Sequence, residues 1–155
     1  MNQDFRDLLS RLNKEKAKYL VIGGYAVTQH AEPRYTKDLD IWIGADPRNG
    51  KRVFKALAEF GAPVAGYPID DFLKSGQFLV IGVAPNRIDV ICDIAGVDFE
   101  ECYSRRVKVN LGDLTATFIS MEDLIRNKEA AGRHQDLADV EKLRAALAVK
   151  KGKKK

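Results

Sequence analysis

The chain has only two cysteines, Cys92 and Cys102, and only two histidines, His30 and His134, in 155 residues. The absence of any Cys-x-x-Cys spacing excludes a zinc ribbon or a dithiol redox pair, so both cysteines read as ordinary thiols. The two histidines lie far apart and neither sits in a local arrangement with a serine or cysteine nucleophile. They read as surface or helix-end residues, and hydrolytic triad chemistry is a poor explanation. No apolar run reaches the roughly 18 residues of a membrane span, and the first residues are polar and acidic; a cytoplasmic protein without a membrane partner is the expectation. Internal repeats are lacking, and aromatic and basic residues do not interleave densely enough to form a single-strand nucleic-acid platform.

A basic body is lacking too. The formal charge is +4, but five of the 26 basic residues fall in the last six positions; without them 21 bases face 22 acids, a net charge of −1. Residues 150–155 are therefore expected to be a lysine-rich, disordered, solubilising tail, with attraction to RNA or another polyanion as the other reading. What remains, residues 1–149, is 45% hydrophobic on the whole-chain count and fits one domain with a real core.

Hydrophobic periodicity organises that domain. Phe5, Leu8, Leu9 and Leu12 form the stripe of an amphipathic helix. Tyr19 to Ile22 reads as a short buried strand, Tyr25 to Ala31 as a helix, and Leu39 to Ile43 as a second strand, with Trp42 and Tyr19 packing in the core. Asp46-Pro47 caps a helix whose apolar face runs through Val53, Leu57 and Phe60 to Gly61. Pro63, Gly66, Pro68 and Gly76 break any period, so residues 62–76 read as a long connection in which substrate specificity could reside. Phe78 to Val83 and Arg87 to Cys92 form one hairpin, and Val107 to Val109 with Thr115 to Phe118 form another. A capping box at Ser120 opens a helix, and Leu137, Val140, Leu143 and Leu147 mark the last one.

The chemistry concentrates between Tyr19 and Ile43. The first strand ends in Gly23-Gly24, which permits a sharp turn and close approach of a phosphate to the N–H groups opening a helix. The second strand carries Asp38-Leu39-Asp40, whose two carboxylates project from one face. Close carboxylates repel unless a cation lies between them, and hard oxygen ligands suit Mg²⁺. Read separately, the glycines are a tight turn and the acids a solvated strand face. A third acid, Asp89, interrupts the apolar run Arg87-Ile88-Asp89-Val90-Ile91 and needs a partner, either a metal or Arg87 two residues away. Lys128 and Arg133 could neutralise a polyphosphate or pair with Asp136 and Asp139. Arg34 and Lys37 lie close to the acids, and Thr36 could cap the strand or touch phosphate.

The order Gly-Gly, Asp-x-Asp, then Asp on a later strand resembles the nucleotidyltransferase superfamily related to DNA polymerase β, in its small, stand-alone, toxin–antitoxin-like prokaryotic branch. The likeness runs from about residue 5 to 147 and includes the helix with Lys128 followed by Arg133-x-x-Asp136-x-x-Asp139; residues 62–76 and 96–106 carry little of it. It implies an α/β (α+β) fold, a mixed β-sheet flanked by helices. It further implies Asp38, Asp40 and Asp89 as catalytic, metal-holding acids, and Gly23 and Gly24 as groups lining the phosphates of a nucleoside triphosphate such as ATP; Thr36, Lys128 and Arg133, read from the residues themselves, complete the candidate nucleotide-binding set. The implied reaction is Mg²⁺-dependent, with Mn²⁺ as a substitute: transfer of a nucleoside monophosphate to a hydroxyl of RNA, protein or a small molecule. A catalytically silent nucleotide-binding or partner-binding module of the same fold is the alternative. A chain this short has little acceptor surface beyond its cleft, so a homodimer or partner protein is an expectation.

Overall fold

The structure, a computed structural model, describes residues 1–32 and 38–153. Thr36, with Arg34 and Lys37, lies outside the described residues. The elements run α1 (Gln3–Lys14), β1 (Tyr19–Ile22), α2 (Gly23–His30), β2 (Leu39–Ile43), α3 (Pro47–Phe60), α4 (Ile69–Ser75), β3 (Phe78–Ile81), β4 (Ile88–Ile91), α5 (Phe99–Ser104), β5 (Val107–Asn110), β6 (Thr115–Phe118), α6 (Met121–Ala131) and α7 (His134–Lys153). The six strands form one sheet in the order β3-β4-β2-β1-β6-β5. β2 runs antiparallel to β1 and parallel to β4, and β1 runs parallel to β6. The fold is thus the expected mixed sheet flanked by helices.

Local chemistry explains where the helices begin. The side chains of Asn2, Asp46 and Ser120 accept hydrogen bonds from the backbone N–H of Phe5, Asn49 and Asp123, occupying N–H groups that a helix leaves unpaired. Pro47 sits at the start of α3, where a missing N–H costs nothing. The α1 stripe Phe5, Leu8, Leu9 and Leu12 is buried and the helix packs on α3; each such side chain contributes about 1.5–3 kcal/mol on burial. Trp42 is buried edge-on against Phe99 of α5, with ring centroids 5.1 Å apart, and its indole N–H donates to the Cys92 carbonyl. Tyr19 is buried as well, as expected of a core residue.

Three stretches differ from the sequence reading. The expected connection at 62–76 contains α4, and the signal-poor stretch 96–106 contains α5, opened by Asp98 accepting from the Glu101 N–H. Helix α7 continues through Lys150 and Lys151 to Lys153, into the stretch expected to be a disordered tail. Among the described residues, no helix is long and apolar enough to cross a membrane.

Candidate active site

Strand register assembles the site. Ile22, the last residue of β1, is the partner of Asp40 on β2, and Asp40 is in turn the partner of Asp89 on β4. Residues paired across a ladder share a face, so the two carboxylates stand side by side, next to the turn that follows Ile22. Asp38, two residues before Asp40, shares that face. Gly23 opens α2 with φ +65°, and a β-carbon there would overlap the Asp40 carboxylate. Glycine is therefore required twice, for the left-handed turn and for the space. Helix α2 starts two residues earlier than Tyr25 and, unlike α1, α3 and α6, has no side-chain cap; its first turn also lacks an acid. Its leading N–H groups and the positive end of its dipole are left available beside the acids.

These groups line a cleft of about 370 Å³ that also includes Phe78, Ile94, Asn127, Lys128, Arg133 and Asp136. Crowding dominates its electrostatics. Burial, then repulsion from Asp89 and Asp38, then a hydrogen bond shared with Asp89 push the Asp40 carboxyl up to about 7, against which Lys128 pulls the other way. Asp40 therefore holds a proton through much of the neutral range. A guanidinium occupies part of the same space: Arg87 donates from Nε to Asp89 Oδ1 at 2.9 Å and from Nη2 to Oδ2 at 3.2 Å, and its Nε lies 3.9 Å from Asp38 Oδ2. The Arg87 partner foreseen for Asp89 is thus present, and it sits at the mouth of the acid cluster.

Across the cleft, α6 ends at Gly132 in the left-handed region and α7 begins two residues later. That turn places Lys128, buried to 5% exposure, 3.4 Å from Asp136 and 3.0 Å from Asp139. Arg133 donates to Asp136 from Nε at 2.7 Å, and Gln135 donates to Asp139 at 3.0 Å. Burial alone would raise the Asp136 carboxyl, but the Arg133 hydrogen bonds and the Lys128 charge hold it below its ordinary value. The ion pairs foreseen for Lys128 and Arg133 exist, and both bases line the cleft and act on Asp40. Gly23, Gly24, Asp38, Asp40, Asp89, Lys128 and Arg133 are thus gathered around one end of the sheet. Gly24 is buried behind Gly23 at the start of α2 and does not line the cleft.

Sequence reasoning missed Phe78, which lines the cleft and reads in the sequence only as the start of a hairpin strand. Its exposure comes from the sheet: β3 is an edge strand, and only alternate residues are half-buried. A larger hollow of about 520 Å³ lies around Asp123, Arg105 and Arg126, but the fully buried Asp123 is claimed by both arginines and reads as a tie between α5 and α6. Cys92 and Cys102 are buried, and burial pushes their thiols up to about 11 and about 12, consistent with unreactive core residues.

Could the acids hold a divalent cation? The donor chemistry fits: the three acids supply hard oxygen donors, burial and the neighbouring acids keep one of them from ionising, and Arg87 already stands beside Asp38 and Asp89 as a cation. Among the described residues, no three acid, histidine or cysteine side chains stand together as a group that could hold a metal ion.

The model of the family described as "Nucleotidyltransferase of unknown function (DUF6036)" matches residues 2–149. Among solved structures, the lincosamide antibiotic adenylyltransferase LnuA in its lincomycin-bound form superposes with a TM-score of 0.61 at 15% identity, over 94% of this chain and 98% of its own. An antigenic nucleotidyltransferase-like protein from Paracoccidioides brasiliensis superposes with a TM-score of 0.54 at 15% identity, over 94% of this chain and 74% of its own. Among curated protein sequences none matches.

Proposed function

Since the chain belongs to this family of nucleotidyltransferases, we propose that it transfers a nucleoside monophosphate from a nucleoside triphosphate to an acceptor hydroxyl, with Asp38, Asp40 and Asp89 holding Mg²⁺. The observation that carries the proposal is the register Ile22–Asp40–Asp89, which sets the glycine turn and the acids side by side, with Lys128 and Arg133 facing them. In the reaction the acceptor oxygen forms a bond to the α-phosphorus, the bond from that phosphorus to the oxygen bridging the β-phosphate breaks, and pyrophosphate leaves. Divalent cations, when bound, supply charge neutralisation at the triphosphate and lower the pKa of the acceptor hydroxyl.

The chain's own residues do the rest. The open N–H groups at the start of α2 orient the outer phosphates, and Gly23 keeps the approach free of side-chain atoms. Lys128 and Arg133 balance the charge of the departing pyrophosphate, and the Asp136–Asp139 pair fixes the Lys128 ammonium in place. Asp89, farther along the sheet than Asp40, takes the proton of the acceptor hydroxyl. A small-molecule acceptor has a precedent on this fold, because LnuA is described as an antibiotic adenylyltransferase.

A silent nucleotide-binding module is the second reading, favoured by one observation: the two-point grip of Arg87 on Asp89. The two readings separate in one assay. Label from the α-phosphate of each of the four ribonucleoside triphosphates is followed into the RNA, protein and small molecules of a cell extract with Mg²⁺, beside the Asp38→Asn/Asp40→Asn double variant. Label retained by the wild type alone supports transfer. Metal-dependent triphosphate binding without label favours the silent module, and absence of both refutes the two readings together.

A further inference from the structure

We propose that the acceptor is a small, uncharged molecule carrying its hydroxyl beside an apolar ring or hydrocarbon face, and that Phe78 and Val80 are the surface on which that face rests. The inference rests on the transferase reading above and adds the chemical class of its second substrate. It begins with the order of groups along the sheet. Gly23 follows β1, Asp38 and Asp40 stand on β2, Asp89 on β4, and Phe78 and Val80 on the edge strand β3. Val80 is the register partner of Asp89, and Phe78 of Ile91, so both project on the face that carries the acids.

The two ends of this row differ in chemistry. At the β1 end the helix start is uncapped, and Lys128 and Arg133 exert their charge on Asp40. At the β3 end Phe78 is 53% exposed and Val80 45%, while Leu79 and Ile81 on the opposite face are half-buried. Attacking and leaving oxygens lie roughly in line across the transferred phosphorus. With pyrophosphate drawn to the cationic end, the entering hydroxyl comes from the other side, past Asp89 and over Phe78 and Val80.

The strands that carry this approach offer little to a polyanion. From Phe78 to Ile91 the sequence holds one base, Arg87, and it is bonded to Asp89. The apolar strip is two side chains wide, about 7 Å at 3.3 Å per strand residue. It matches one ring and falls far short of the roughly 800 Å² that each side of a stable protein interface buries.

The test uses the full chain, labelled with nitrogen-15, in complex with Mg²⁺ and an α,β-methylene triphosphate that cannot be turned over. Nucleotide affinity is measured first, then 2-phenylethanol and glucose are titrated as acceptor probes. The expected result is saturable shifts of the Phe78, Val80 and Asp89 amides with 2-phenylethanol and none with glucose. Phe78→Ser, at an exposed position, should raise the dissociation constant of 2-phenylethanol at least fivefold and leave that of the nucleotide within twofold. Equal response to both probes, or shifts confined to other residues, overturns the inference. So does a nucleotide affinity that falls with Phe78→Ser, because Phe78 would then be a nucleobase platform. Failure of the wild type to bind nucleotide and Mg²⁺ at all overturns the transferase reading and this inference with it. Label carried into RNA or protein in the extract assay overturns the inference alone.

Discussion

Asp40→Asn should make the metal-free protein more stable at pH 8. The Asp40 carboxyl titrates at about 7 in the folded chain against an ordinary 3.8, because it is half-buried and faces Asp89 and Asp38. Between those values the folded state holds a proton that the unfolded chain has released. The contribution of the protonated group is therefore fully present below about pH 4 and is lost as pH rises through 7. The interval is roughly three decades of proton affinity, ~4 kcal/mol at 1.36 kcal/mol per decade, and partial solvation of the cleft makes this a ceiling. Asparagine has nearly the shape of the protonated acid and never ionises. We expect the variant to exceed the wild type by about 1–3 kcal/mol at pH 8, and to differ little near pH 4. For a chain of this size each kcal/mol moves the melting temperature by roughly 2–4 °C. The assay is urea unfolding with chelator at pH 4, 5, 6, 7 and 8. The wild-type midpoint should fall with pH more steeply than that of Asp40→Asn, and saturating Mg²⁺ should restore the wild type only. A variant less stable than the wild type at pH 8 without metal, or parallel pH profiles, would refute the reasoning.

Three other perturbations test the remaining parts. Gly23→Ala forces a side chain into the left-handed region, at about 1–2 kcal/mol, and onto the Asp40 carboxylate; it should lower the urea midpoint and abolish triphosphate binding measured by calorimetry. Lys128→Met removes the ammonium that faces both Asp136 and Asp139 in the interior, and should cost about 3–5 kcal/mol in urea unfolding; Asp139→Asn added to it should recover part of that loss. Arg87→Gln removes the cation that competes for Asp89, so Mg²⁺ should bind roughly two- to fivefold more tightly by titration calorimetry; weaker binding would mean that Arg87 assists the metal.

Most of the fold was legible because its signals are local. Asp46-Pro47, Ser120 and the Phe5–Leu12 stripe each fix a boundary or a buried face through chemistry within a few residues. Helices α4 and α5 were missed for a related reason: each is seven residues or fewer, too short for a period to declare itself. The Asp98-x-x-Glu101 start of α5 was nevertheless visible. The site divides along the same line. The acids and Gly23 could be placed because strand alternation dictates their face. The exposure of Phe78 could not, since it depends on β3 being the edge of a sheet whose order is set by pairings such as Leu39 with Ile88 and Val21 with Phe118, far apart in the chain.

On the proposed function, the same crowding that destabilises the acids would make the site select a divalent ion. A half-buried carboxyl titrating at about 7 and a neighbour clamped by a guanidinium would present a monovalent cation with little gain, because one charge replaces one proton or one Arg87. A divalent ion carries enough charge to displace both, and a triphosphate brought with it is met by the open start of α2, Lys128 and Arg133. Binding of metal and nucleotide should therefore be cooperative, each lowering the cost of ionising Asp40 for the other. Calorimetry at pH 6 and pH 8 can read this as proton release. Mg²⁺ added with nucleotide should release more protons at pH 6 than at pH 8, because Asp40 is still largely protonated at the lower pH. Equal release at both would place the titrating proton elsewhere.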